Sequence, residues 1–261
     1  AQLTLDCATN NYTGGTMVGG GVLSVATMGD IGAASSIGSG TNIILSGGTL
    51  KYTGGTVSVN RLVKLSGYSA VDVNSAAAVV TLASNVTGTA AFVKMGAGTL
   101  VLSASNTYNG ATTVSNGTLL VNNWHTNTSA YTVANTARLG GTGTVAAAVT
   151  VQSGGTLGPG GLTVPGNMNL NSDLTFAAGS ACAVRVPAAT AGQYDMITAS
   201  GAVTLGGATL SVNAAGLGDT PIDSIVWLIN KTSSGSVSGM FNGLPQGAFV
   251  ALGNQAWEIT Y

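Results

Sequence analysis

One histidine, two cysteines and eight carboxylates are the groups of this chain on which covalent or acid–base chemistry could rest. His125 stands in Trp124-His125-Thr126-Asn127 with no cysteine or carboxylate near it in sequence. A general base or metal ligand needs such a partner, so His125 reads as a loop residue, and Trp124 with His125 as an exposed contact. The carboxylates are Asp6, Asp30, Asp72, Asp173, Asp195, Asp219, Asp223 and Glu258. Glycoside cleavage needs two of them about 5 to 10 Å apart, and no pair recurs at the spacing that would bring this about. Asp219 and Asp223 flank Pro221 and read as turn residues. No glycine-rich run leads into Lys-Ser or Lys-Thr, so no phosphate cradle is expected. The sequence thus points to a non-enzyme with no catalytic residue, no metal and no cofactor.

Cys7 and Cys182 are the sharper oddity. In an exported protein a pair suggests a disulfide. In a straight stack of coils about 4.8 Å apart, however, the two lie roughly 40 Å from each other, far beyond bridging distance. Three readings stay open: small buried hydrophobes, an intermolecular bridge, or a C-terminal section folded back towards the first coil.

The elements that must carry these residues announce themselves by repetition. Gly47-Gly48-Thr49-Leu50, Ala97-Gly98-Thr99-Leu100, Asn116-Gly117-Thr118-Leu119 and Gly154-Gly155-Thr156-Leu157 restate one phrase. A period of roughly 20 residues marks one small unit stacked on its neighbours, because such a unit cannot bury its own apolar face. Between the phrases lie short alternating strands such as Asn42-Ile43-Ile44-Leu45 and Val79-Val80-Thr81-Leu82, separated by Ser-Gly-Gly and Ser-Asn-Gly turns. No segment has the period of a substantial helix. The predicted fold is all-β, a parallel β-solenoid of roughly 13 coils at the strand spacing of a sheet, with an antiparallel sandwich as the alternative. Leu100 and Leu119 should be equivalent on adjacent coils and face inward. Lys94 should lie at the surface, Trp227 in the core, and Tyr12 and Tyr108 should pack at corners.

Composition agrees. Charged residues make up 6% of the chain and the net charge is −1, against about 25% charged in ordinary domains. That gives no electrostatic footprint for nucleic acid or an anionic membrane. No stretch approaches the ~20 apolar residues of a spanning helix. A nearly neutral surface of Thr, Ser, Asn and Gly favours association.

Two segments match one another: Leu3-Thr4-Leu5 through Tyr12-Thr13-Gly14-Gly15-Thr16 to Val22-Leu23-Ser24-Val25, and Leu100-Val101-Leu102 through Tyr108-Asn109-Gly110-Ala111-Thr112 to Leu119-Leu120-Val121. With Lys94-Met95-Gly96-Ala97-Gly98 before it, the second resembles the autotransporter-associated β-strand repeat, also called the passenger-associated transport repeat. The order Leu139 to Val145, Gly154 to Gly160, Gln193-Tyr194-Asp195 and Phe241 to Ala248 with Ile259-Thr260-Tyr261 extends the resemblance over nearly the whole chain. It implies a right-handed β-helix exported to the bacterial cell surface, serving as an adhesin-like or structural passenger. The lysine-led phrase is missing before Leu3, and no set of amphipathic ~10-residue strands for an outer-membrane barrel follows. The chain is therefore not expected to secrete itself.

A single solenoid domain is expected over 1–261, regular over 1–165 and less regular over 166–261. Neither end shows a capping helix. Leu3-Thr4-Leu5 and Ile259-Thr260-Tyr261 read as open coil strands, and open edges pair with further copies. The expected function is an extracellular structural subunit that stacks head-to-tail with itself into a fibre or sheath. The alternative is an adhesin or surface-glycan-binding passenger carried as a rigid stalk.

Overall fold

The computed structural model describes residues 1–221, 224–234, 237–252 and 255–261; Asp223 lies outside them. Short strands wind in one sense around three faces, and each strand pairs in parallel with its equivalent one coil away. Face 1 stacks ten strands, from Gln2–Leu5 to Val203–Thr204, and face 2 stacks eight, from Val57–Val59 to Thr209–Asn213. Face 3 comes in two parts, four strands from Thr16–Val18 to Val86–Gly88 and five from Trp124–His125 to Ile229–Lys231. Residues 106–109 join the parts: Thr107 N donates to Val86 O at 3.0 Å and Asn106 N to Trp124 O at 2.8 Å. Among the described residues there is no α-helix.

Side-chain alternation builds the core. On face 2 every inward position stacks on its equivalent: Val80, Leu100, Leu119, Leu139, Leu157, Cys182 and Leu210 run in register. Leu100 pairs with Leu119 as the repeat predicts, and both are fully buried. Burial of one such leucine stabilises the fold by about 1.5–3 kcal/mol, and the ladder repeats that contribution coil after coil.

The ten strands of the longest face fall short of the roughly 13 coils expected from a uniform strand spacing. The period is not constant. Val114 pairs with Val133, close to the short repeat, whereas Leu23 pairs with Leu50 and Leu174 with Val203. Loops that leave the stack, such as that between Val25 and Asn42, consume the difference. Past Asn213 the chain adds one more face-3 strand, Ile229–Lys231, and then an antiparallel hairpin, Phe249–Leu252 with Gln255–Glu258.

The two copies of the matching segment sit on different faces. The first runs from face 1 (Gln2–Leu5) to face 3 (Thr16–Val18) and back to face 1 (Gly21–Val25). The second runs from face 2 (Thr99–Leu102) to face 1 (Thr112–Val114) and back to face 2 (Gly117–Val121). In each, the tyrosine-bearing stretch replaces the strand of the face it crosses, and the tyrosine hydroxyl bonds the threonine four residues on. The distances are 3.0 Å for Tyr12–Thr16 and 2.8 Å for Tyr108–Thr112. The same local structure is thus reused one face further round.

Lys94 corrects the expectation of a surface charge. It stacks between Val71 and Val114 at an inward position and is fully buried. Its ammonium donates to the carbonyls of Met95 (2.7 Å), Gly96 (2.9 Å) and Asn116 (3.1 Å). Burial pushes its pKa down to about 8, with Asp72 opposing. Gly96 turns this corner at φ 75°, and a Cβ there would meet Asp72 Oδ1 at 2.1 Å, so only glycine fits. Trp227, expected in the core, is more than half exposed instead, because its segment lies outside the regular strands.

Candidate functional site

Trp124–His125 is the short strand that opens the second part of face 3, pairing with Thr144 and Val145. Strand alternation sends the two side chains to opposite sides of the sheet. Trp124 projects into solvent, 54% exposed, and His125 is fully buried. The exposed contact therefore narrows to Trp124, and His125 is corrected to a core residue.

The environment of His125 explains how a polar ring is tolerated inside. Nε2 lies 2.9 Å from Tyr108 O, and Nδ1 faces the Tyr131 hydroxyl in a short contact. A carbonyl only accepts, so Nε2 carries the proton and Nδ1 accepts from Tyr131. The ring stacks on Tyr108 with centroids 4.1 Å apart. Tyr108 in turn bonds Thr112 at 2.8 Å. Burial lowers the histidine pKa, raises that of Tyr108 to about 12 and raises that of Tyr131 well above its ordinary value. All three are neutral near pH 7, and no carboxylate joins them. This is a satisfied polar network in the core, with no acid, base or nucleophile poised at a surface.

Three of the carboxylates, Asp30, Asp173 and Asp195, are likewise engaged in holding the structure. Asp30 Oδ1 accepts from Asn60 N at 2.8 Å and Asp173 Oδ1 from Ala202 N at 2.8 Å. Asp195 binds Arg185, with Nε to Oδ2 at 2.7 Å. Among the described residues no three potential metal ligands cluster, and no helix long and apolar enough to cross a membrane is present. Both cysteines are free. Cys182 takes a leucine's place in the face-2 ladder, fully buried, with burial raising its pKa to about 12. It cannot bridge to a neighbour, so of the two only exposed Cys7 is available. The Thr9 hydroxyl lowers the Cys7 pKa.

The ends differ from one another. Gln2–Leu5 is the outer strand of face 1, paired on one side only, with Leu3 60% exposed. Ile259–Tyr261, expected as a second open coil strand, instead follows the antiparallel hairpin and is tied back to its own chain. Ile259 N donates to Ala248 O at 2.8 Å. Phe241 N donates to the Tyr261 hydroxyl at 2.9 Å, and that hydroxyl donates to Leu244 O at 2.6 Å. Tyr261 packs against the core cluster.

Two groupings escape a linear reading. On face 1 the outward residues Thr113, Thr132, Thr150, Thr175 and Thr204 stand in register on successive coils. Arg138 and Arg185 on face 2 line one cavity together with Asp195, which leads into the face-3 strand Met196–Ala199. Their spacings are irregular because loops of different length separate the coils.

The passenger-associated transport repeat model matches residues 1–25 and 92–121, the two segments whose tyrosine–threonine corners coincide. The chain thus carries passenger-associated transport repeats in these two segments. It is also 41% identical over 117 residues, 43% of its length, to the adhesin BmaC autotransporter of Brucella suis biovar 1 (strain 1330). The chain spans about 3% of that relative's length. No solved structure matches. The repeats, the adhesin relative and the parallel coils identify an exported, surface-displayed β-solenoid passenger segment.

Proposed function

We propose that this passenger-repeat solenoid is a non-catalytic stalk segment of a surface adhesin, which presents side chains from a rigid frame. The observation that carries this reading is one uninterrupted core under ten parallel strands, on which Trp124 is held outward by a buried network directly beneath it. An exposed tryptophan on a preorganised surface supplies contact area at little entropic cost. The relative's description as an adhesin agrees with this. The test is adhesion of beads coated with the purified chain to animal cells, compared with beads coated with Trp124→Ala. Wild-type beads should adhere, and the variant should adhere at least several-fold less. Wild-type beads that bind no better than uncoated ones would end the proposal.

A second reading is head-to-tail stacking of copies, which would continue the parallel ladders of the faces from one chain into the next by backbone hydrogen bonds. Ile259–Tyr261 offers it no matching open strand. Light scattering at rising concentration separates the readings: growth in mass supports stacking, constant mass a lone stalk.

A further inference from the structure

Among the cations with little exposure, Arg61 and Lys94 have their donors committed to backbone carbonyls. Arg185 is forked onto Asp195. Arg138 differs. Its one hydrogen bond runs from Nη2 to Gly158 O at 3.0 Å, which leaves most of its donors open toward a cavity of about 200 Å³.

The cavity is built for two guanidinium groups side by side. Gly158 and Gly160 bracket Pro159, and a Cβ on either would collide with an arginine. At Gly158 it would meet Arg138 Nη2 at 2.6 Å, and at Gly160 Arg185 Nη2 at 2.3 Å. Asp195 is the carboxylate present, and it is saturated. It accepts from Gly166 N (2.9 Å), Arg185 N (2.9 Å), Arg185 Nε (2.7 Å) and Arg185 Nη2 (3.0 Å). A carboxylate offers about four acceptor sites, so none remains for Arg138. Two cations therefore share one anion, in a chain with only 6% charged residues. Like charges so placed repel, and an incoming anion relieves the repulsion.

The rest of the lining narrows the anion. Ser211 and Asn213 bring a hydroxyl and an amide, and Leu162 brings an apolar wall. A lone inorganic anion would need neither. We propose that Arg138, beside the Arg185–Asp195 pair, binds the carboxylate of an acidic sugar residue, with Ser211 and Asn213 meeting the ring hydroxyls. This rests on the adhesin reading and names a ligand class for it. Arginine's planar fork matches a carboxylate bidentately.

The test is titration of the purified chain, followed by amide NMR, with glucuronate, glucose, acetate and inorganic phosphate. Glucuronate should give saturable shifts around Arg138, Gly158 and Ser211, and glucose none. Arg138→Gln should weaken glucuronate at least tenfold. Ser211→Ala changes an exposed side chain that cannot disturb the fold, and it should weaken glucuronate but leave acetate unchanged. Absence of saturable glucuronate shifts, or an undiminished affinity in folded Arg138→Gln, overturns the site. Acetate or phosphate binding as tightly as glucuronate overturns the sugar assignment. Bead adhesion keeps the two readings apart. Wild-type adhesion that survives in Arg138→Gln and resists glucuronate removes this inference and leaves the stalk standing. Wild-type beads that fail to adhere while glucuronate still binds remove the stalk and leave the site.

Discussion

The ammonium of Lys94 lies 3.1 Å from the carbonyl oxygen of Asn116, one coil further along the solenoid. The same group bonds Met95 and Gly96 on its own coil, so one side chain fastens two stacked corners. This gives a physical reason for a lysine at the head of Lys94-Met95-Gly96-Ala97-Gly98.

Lys94→Met should lower stability by about 2–4 kcal/mol, because three carbonyls lose a charged donor in a buried place. Lys64→Met, at an exposed outward position, should stay within about 0.5 kcal/mol. The pH dependence follows from a folded pKa of about 8. Between that value and the unfolded lysine value of about 10.4 the unfolded chain holds more protons, so stability rises with pH. The rise should be missing from Lys94→Met when its melting curves are subtracted from wild type. Equal melting shifts for the two variants would place Lys94 at the surface after all.

His125 is the one histidine of the chain, so its ring protons can be followed without assignment ambiguity. Burial depresses its pKa. As pH falls below about 6.5, the unfolded chain takes up the proton first and stability drops through the interval down to the folded pKa. Proton NMR should show a midpoint below 6.5, and Tyr131→Phe should move it, since Nδ1 loses its donor. A midpoint at the ordinary value in both proteins would mean that the ring is solvated.

The inward ladder of face 2 was legible in the sequence because Leu100 and Leu119 lie in nearly identical phrases one short period apart. Lys94 was not, since its own strand, Phe92–Met95, says nothing of the carbonyl that waits on the next coil. The strand Gln2–Leu5 followed from its pattern, but the tie of Tyr261 to Phe241 and Leu244 did not, because antiparallel return carries no period. The threonine row from Thr113 to Thr204 and the Arg138 cavity are registered by stacking, and loops of unequal length hide such register from any fixed spacing. His125 was misplaced for a related reason: a polar insertion reads as exposed until its alternation on a two-residue strand is seen.

The cysteines give a direct count. In the native protein one thiol, Cys7, should react with a chromogenic disulfide within minutes, and the second, Cys182, only on unfolding. Cys182→Val should cost less than about 1.5 kcal/mol, because it keeps an apolar side chain of similar size between Leu157 and Leu210. Two rapidly reacting native thiols would show that the face-2 ladder is open at that coil.

Arg61 makes the last case, a charge that holds a loop without any ion pair. It is fully buried and donates to five carbonyls: Gly29 and Gly38 at 2.6 Å each, Ile37 at 3.0 Å, Asp30 and Ala33 at 3.3 Å each. All five belong to the excursion between Val25 and Asn42. The nearby Asp30 carboxylate accepts from Asn60 N and acts on the arginine only through its charge, so the hydrogen bonds of Arg61 all go to backbone carbonyls. Arg61→Met keeps an apolar stem but strands those carbonyls, and the loop can recover by opening to water. The expected result is local. Amide exchange at Gly32, Gly38 and Ser39, whose N–H groups bond within the loop or to Tyr12, should accelerate at least tenfold. Thermolysin should gain a cut at the exposed Ile31. Amides of the face-1 strand Phe92–Met95 should keep their protection, because no arginine contact reaches them. Uniform loss of protection through all coils would show instead that Arg61 supports the stack as a whole.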